Sequence, residues 1–370
     1  MTSDAFVPEL ADAMRQRMVN QGVWRSVQPD VEGVVRHLVG MQAQEFGYAL
    51  WSVAQRMTEP ATSADMLKAF DDGVLLRTHV LRPTWHFALP DDIAWMLQLT
   101  APRLRGLMAY YSRQQGLDDA ELARSRAVLA DAVAGGRHRT RRELAGLLVA
   151  AGVAAGGGRL GFLLMHAEYD KVLISGAMRG KQQTYAAFDE RVPPGPDYSE
   201  DEALAELARR FVTSRAPVTA KDLAGWASLT LAQARRGLAA VESECEVTEL
   251  DGMTMFSRPG ALDDSDEPGP VVDLIQGYDE LVMSYFESRR LLAPKGVLPV
   301  ADHAFHPNVV LLDGRLVGHW RHQLGRAGAV VEIQLRRPLV DDELAALRAA
   351  VGRYGSYLGV PATMGEPVLL

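Results

Sequence analysis

Val74 to Leu89 reads VLLRTHVLRPTWHFAL. It has a β-hairpin pattern, VLLRTHV and TWHFAL joined through Leu81-Arg82-Pro83, and Pro83, lacking an N–H, suits the connection better than a central strand. Upstream, the pattern of apolar residues predicts helices over about 7–19, 30–41, 49–57 and 63–71; downstream, ALPDDIAWML restarts a helix. Several helices followed by a two-stranded hairpin are the sequence pattern of a winged helix.

The same order recurs. Asp118 to Ala134 is helical, and GGRHRTRREL breaks and restarts the helix, with Thr140 as N-cap and Glu143 completing a capping box. Gly158 to Asp170 supplies another helix, and KVLISGAMRGKQQTYAAF reads as strand, basic turn, strand. A third round starts at SEDEAL, restarts at TAKDL and closes with CEVTELDGMTMFS, where Asp251-Gly252 is a strong turn signal. ALDDSDEPGP (261–270) reads as an acidic linker; VVDLIQGYDELVMSYF, VVLLDGRLVGHW and AVVEIQLRRPL follow, with a last helix from Asp341. The expected fold class is α+β: three tandem winged-helix motifs over 1–112, 113–192 and 193–262, then a small mixed α/β C-terminal domain over 271–370.

Bulk composition is that of an ordinary soluble protein, 48% apolar and 23% charged. Cys245 is the only cysteine, so internal disulfides and Cys-rich zinc sites are excluded. The start lacks the pattern of a signal peptide, and the longest uncharged stretch, Leu144 to Gly158, is too short for a membrane span. A reduced, cytoplasmic protein is expected, with no membrane association and no evident obligate protein partner. A net charge of −8 argues mildly against a polyanionic partner, but Ala101 to Arg191 carries 14 Lys/Arg against 9 Asp/Glu. Local sign matters more than the total.

The strongest basic cluster is Arg137, His138, Arg139, Arg141 and Arg142 at a helix N-terminus, with Arg179 and Lys181 in the next hairpin turn. Backbone N–H groups and the helix dipole favour anions there, so phosphate contact is expected. Asp302, His303, His306, His319 and His322 lack a coherent metal-ligand spacing, and no phosphate loop or nucleophile elbow appears. Neither a metal nor a cofactor is expected. In GMQAQEFGY (40–48), Gln42 and Gln44 would diverge on a helix but face one side if the chain leaves it extended. Two convergent amides offer donors and acceptors at one spot; two helix-end glutamines bonding local backbone is the plainer reading, and it stays open.

MQAQ, LLRTHVLRPTWHFALPDDI, TYAAFDERVP, GYDELVMSYFESR and VLLDGRLVGHWR together resemble, in order and over essentially the whole chain, the winged-helix DNA glycosylases of the AlkZ/YcaQ type. The resemblance implies binding of double-stranded DNA and excision of N-alkylated purines, including unhooking of interstrand crosslinks. It also implies that Gln42-Ala43-Gln44 is the catalytic motif. The YcaQ branch has Gln-x-Asp, so this chain is more similar to the AlkZ branch, whose members protect producers of DNA-alkylating natural products. An N7- or N3-alkylated purine is already a cationic leaving group, so the enzyme has mainly to hold DNA, stabilise an oxocarbenium-like sugar and place a water. Gln44 is expected to orient the water and the Gln42 carbonyl to face the sugar, with the reverse assignment open. Arg82, Thr84 and His86 match residues characteristic of the family: Arg82 would reach a phosphate or anchor the fold, and His86 would shape the site. Arg77 is a further DNA-binding candidate. Asp279, Glu280, Trp320 and Arg321 also match, and structural roles are expected of them. The alternative function is a non-enzymatic winged-helix DNA-binding protein, either a transcription regulator or a drug-sequestering resistance protein.

Overall fold

The computed structural model describes residues 8–260, 269–292 and 308–370. Asp30 caps the helix Val31–Leu38 by accepting the Gly33 N–H at 2.8 Å, and the helix buries Val31, Val34, Val35 and Leu38. It stops short of the expected Met41 because Val39 adopts φ +67° and turns the chain into the strand Gly40–Gln42. This strand pairs antiparallel with Trp85–Ala88, which pairs in turn with Leu76–His79. Gln42, His86 and Thr78 therefore form one cross-strand row.

With the helices Phe46–Ala54 and Ser63–Asp72, the order is helix, strand, helix, helix, strand, strand. After the long helix Pro90–Gln114 the order recurs as Asp119–Val133, Arg139–Thr140, Arg141–Ala150, Gly157–Tyr169, Leu173–Arg179 and Gln182–Ala187. Thr140 and Glu143 form the capping box. A third round uses Glu200–Arg215, a bridge between Val218 and Phe256, Ala220–Trp226, Leu231–Ala240, Glu246–Leu250 and Met253–Ser257. The C-terminal part is a six-stranded sheet built around Arg315–Gly325 and Gly328–Leu335, with the helix Asp341–Leu358 packed against it. Residues 261–268 of the expected linker, and Asp302, His303 and His306, lie outside the described residues. Among the described residues no helix is long and apolar enough to cross a membrane.

Burial does not follow the sequence boundaries. The second round has a core of its own, including Leu129, Leu144, Leu148 and Leu163. The first round instead shares both faces of its sheet, because successive strand residues point to opposite sides. Val39, Leu76 and Ala88 pack with Phe211, Trp226 and Leu238 of the third round. Met41, Ala43 and Phe87 pack with Trp320, Val331 and Tyr354 of the C-terminal sheet. The strand carrying Gln42 is thus clamped between two cores.

Candidate active site

Gln42 is 3% exposed at the end of its strand. Its side-chain oxygen accepts a hydrogen bond from Arg82 Nη2 at 2.6 Å. An arginine only donates, so this contact fixes which end of the amide is oxygen and leaves that oxygen one lone pair. Arg82 follows Leu81, whose φ of +64° turns the hairpin tip inward, and its other terminal nitrogen donates to the Trp226 carbonyl at 3.1 Å. The Gln42 backbone N–H donates to Glu280 Oε1 at 2.8 Å. Glu280 Oε2 accepts from Arg215 (2.8 Å), Trp226 Nε1 (2.7 Å) and Ser284 Oγ (2.8 Å). Arg215 in turn donates to the Gly40 carbonyl at 3.0 Å, so one fully buried ion pair grips both ends of the strand. Burial alone would raise the Glu280 carboxyl; the charges of Arg215 and Arg82 outweigh it and hold the group down at about 2.

Past Gln42 the chain stays extended, with the Ala43 N–H donating to the Trp85 carbonyl at 2.7 Å. Continuing the register sets Gln44 opposite Thr84. Gln44 is half-buried. Arg77 braces this exit: Nε donates to the Ala43 carbonyl at 2.9 Å and Nη2 to the Gln44 carbonyl at 3.2 Å, while the guanidinium lies 4.2 Å from the Trp85 ring centroid. Its remaining terminal nitrogen bonds Gln183 of the second round. His86 is fully buried, and its Nδ1–H donates to the Thr84 carbonyl at 2.9 Å. Burial, reinforced by the Arg82 charge, pushes the imidazole down to about 3, so it is neutral. Its Nε2 then has an acceptor lone pair without a protein partner, and the Thr78 and Thr84 hydroxyls are likewise unsatisfied. Unspent buried hydrogen-bonding capacity in a native core calls for an explanation.

The family model described as DNA glycosylase AlkZ-like matches residues 35–357. The chain belongs to the AlkZ-like DNA glycosylase family. It is similar to an interstrand DNA cross-link repair glycosylase of Streptomyces sahachiroi, at 26% identity over 323 residues covering 82% of this chain and 85% of the relative. Among solved structures it matches the Streptomyces sahachiroi DNA glycosylase AlkZ with a TM-score of 0.76 and 22% identity, covering 96% and 99% of the two chains. That likeness establishes the mixed α/β fold.

In this AlkZ-like chain, Gln42, Gln44, Arg77, Arg82, Thr84 and His86 come together in one sheet and its turn. The phosphate contact expected of Arg82 does not fit its surroundings: it is 7% exposed, burial pulls it down to about 10, and its terminal nitrogens are spent on the protein. The same holds for Arg77, 6% exposed and pulled down to about 10. Both are struts. Arg137, Arg139, Arg141, Arg142, Arg179 and Lys181 form a separate patch on the second round. Arg141, Arg142 and Lys181 are exposed, whereas Arg139 donates to the Ala132 carbonyl and Arg137 to that of Asp131. Arg179 pairs with Glu143 at 2.8 Å.

Asp279 and Glu280 are buried counter-ions, Asp279 of Arg56 at 2.6 Å. The sequence reading missed Arg56, Arg215, Trp226 and Ser284. Two adjacent acids inside an apolar stretch were the available signal, since buried carboxylates require cations. Trp320 is fully buried, donating to the Ile275 carbonyl, and Arg321 pairs with Glu332. His322 bonds the Tyr354 hydroxyl at 2.7 Å, and the described residues contain no cluster of three or more metal-ligating side chains.

Proposed function

We propose that this chain excises cationic N7- or N3-alkylated purines from double-stranded DNA, bulky and crosslinked adducts included, with Gln42 and Gln44 as its catalytic pair. The rounds of helices and hairpins are read as three tandem winged helices over 1–112, 113–192 and 193–262, followed by an α/β domain over 271–370. The observation that carries the reading is the fixed, buried Gln42 amide in a sheet row with unspent acceptors. Such a site costs stability, and catalysis explains its retention better than packing does.

The reaction breaks the glycosidic bond, the base leaves with the bonding electrons that neutralise its charge, and water adds to the sugar carbon while losing a proton. Arg82 already draws on the Gln42 oxygen, so its remaining lone pair suits a water O–H. Gln44, free of such a lock, turns its carbonyl toward the developing sugar cation. This reverses the assignment first expected. Glu280 is not available as a strong base, because it is consumed by Arg215, Trp226, Ser284 and the Gln42 N–H. Undamaged purines, poor leaving groups, are therefore spared. A neutral amide forms no Schiff base, so the product is an intact abasic site. The exposed Arg141, Arg142 and Lys181 hold phosphates.

The test is incubation with a duplex carrying N7-methylguanine and, separately, with a crosslinked duplex, scoring free modified base and abasic sites. Gln42→Ala and Gln44→Ala should abolish release with DNA affinity retained. Binding without release from either duplex would favour a non-enzymatic DNA-binding protein instead.

A further inference from the structure

Phe286 is a large apolar side chain left 46% exposed on the loop after the helix Glu280–Met283. The loop is rigidly held. Asp222 Oδ1, fully buried, accepts the consecutive N–H groups of Phe286 (2.7 Å), Glu287 (2.8 Å) and Ser288 (3.1 Å), and Asp222 Oδ2 accepts from the Ser288 hydroxyl at 2.5 Å. The ring lies on Gly225, where an added Cβ would stand 2.3 Å from Phe286 Cγ; only glycine leaves it this seat. The Arg289 guanidinium is 5.4 Å from the ring centroid.

This loop adjoins the candidate site. Arg82, which fixes the Gln42 amide, also reaches toward the Met283 carbonyl at 3.5 Å and bonds the carbonyl of Trp226, the residue next to Gly225. The Arg289 charge is close enough to act on Arg82. An aromatic face, immobilised beside a cation at the rim of a DNA site, has the two elements that bind a nucleobase and its phosphate.

We propose that Phe286 is a stacking platform for a nucleobase beside the lesion, with Arg289 supplying the adjoining positive charge. This rests on the DNA-binding part of the function proposed above. The packing of Phe286 on Gly225 leaves an exposed part of the side chain for the base. With its loop held by three backbone N–H bonds to Asp222 and its ring seated on Gly225, it loses little conformational freedom on stacking.

The experiment uses the full chain, wild type and Phe286→Ala, Phe286→Leu and Phe286→Trp. Each is mixed with duplex carrying N7-methylguanine and 2-aminopurine at the neighbouring position; binding, aminopurine fluorescence and single-turnover base release are read together. Ala and Leu should weaken binding by on the order of ten-fold and suppress the fluorescence change, while Trp preserves both. Thermal unfolding should stay at the wild-type value in all three. Wild-type binding by the Leu variant would make Phe286 an apolar filler and overturn the proposal, as would an unchanged Ala variant. Phe286-dependent binding by a wild-type protein that releases no base would sink the glycosylase reading and leave the stacking platform standing. Base release by the wild type, with binding and fluorescence unaffected by any Phe286 variant, would do the reverse.

Discussion

Arg82 and Gln42 are joined side chain to side chain, the guanidinium donating to the amide oxygen at 2.6 Å across a buried turn. We propose that the arginine acts through the glutamine rather than on DNA. Arg82→Lys keeps the charge but loses the planar fork that holds Gln42 and the Trp226 carbonyl together. Single-turnover base release should fall by about a hundred-fold, as expected for a misplaced reacting group, with DNA affinity little changed. A parallel loss of affinity and rate would instead return Arg82 to a phosphate-binding role.

Glu280→Gln should be strongly destabilising. It leaves Arg215 buried with its charge uncompensated, a loss of about 3–5 kcal/mol by denaturant unfolding. Burial holds Arg215 itself below the ordinary guanidinium range, so the intact pair contributes less than its disruption costs.

The acid limb of stability follows from the same carboxylate. Glu280 titrates near 2 in the fold and near 4.5 when unfolded, so its contribution is complete above about 4.5 and is lost as pH falls toward 2. His86, depressed to about 3 from 6.5, adds a second loss beginning below 6.5, because the unfolded chain takes up the proton first. Unfolding free energy measured against pH should decline in these two overlapping windows, and His86→Gln should shrink the upper one, to which His37, His138, His166 and His322, also held down by burial, contribute as well.

Base release, by contrast, should be flat between about pH 5 and 8 under single turnover. The amides do not ionise, and His86 and Glu280 titrate below that range. A rate inflection near pH 6.5 would assign a protonating group to the chemistry and reject the amide mechanism.

Charge reversal at Arg141 and Arg142 should weaken binding to every duplex alike and flatten its salt dependence, by about one unit of slope for each phosphate no longer neutralised. The first-order rate of the bound complex should be unchanged, since these residues lie on the second round and not in the Gln42 sheet.

Local signals were legible in the sequence. The hairpin around Leu81-Arg82-Pro83, the Thr140 and Glu143 box and the Asp251-Gly252 turn are short-range patterns that the structure reproduces. The strand Gly40–Gln42 was not visible, because its three residues carry too little pattern and its formation depends on pairing with Trp85–Ala88, far along the chain. For the same reason Arg77 and Arg82 read as DNA contacts: an arginine in a hairpin shows its charge in the sequence but not its burial. Arg215 stands in the last turn of a helix, where nothing local marks it as the buried partner of Glu280.

The grip of Glu280 and Arg215 on the strand Gly40–Gln42 has a consequence for synthesis. The first 50 residues already contain both glutamines, yet the carboxylate that holds the Gln42 backbone arrives 238 residues later. A nascent or truncated chain ending before Glu280 carries the motif without the clamp. Under the function proposed above, a fragment ending before Glu280 should therefore release no base.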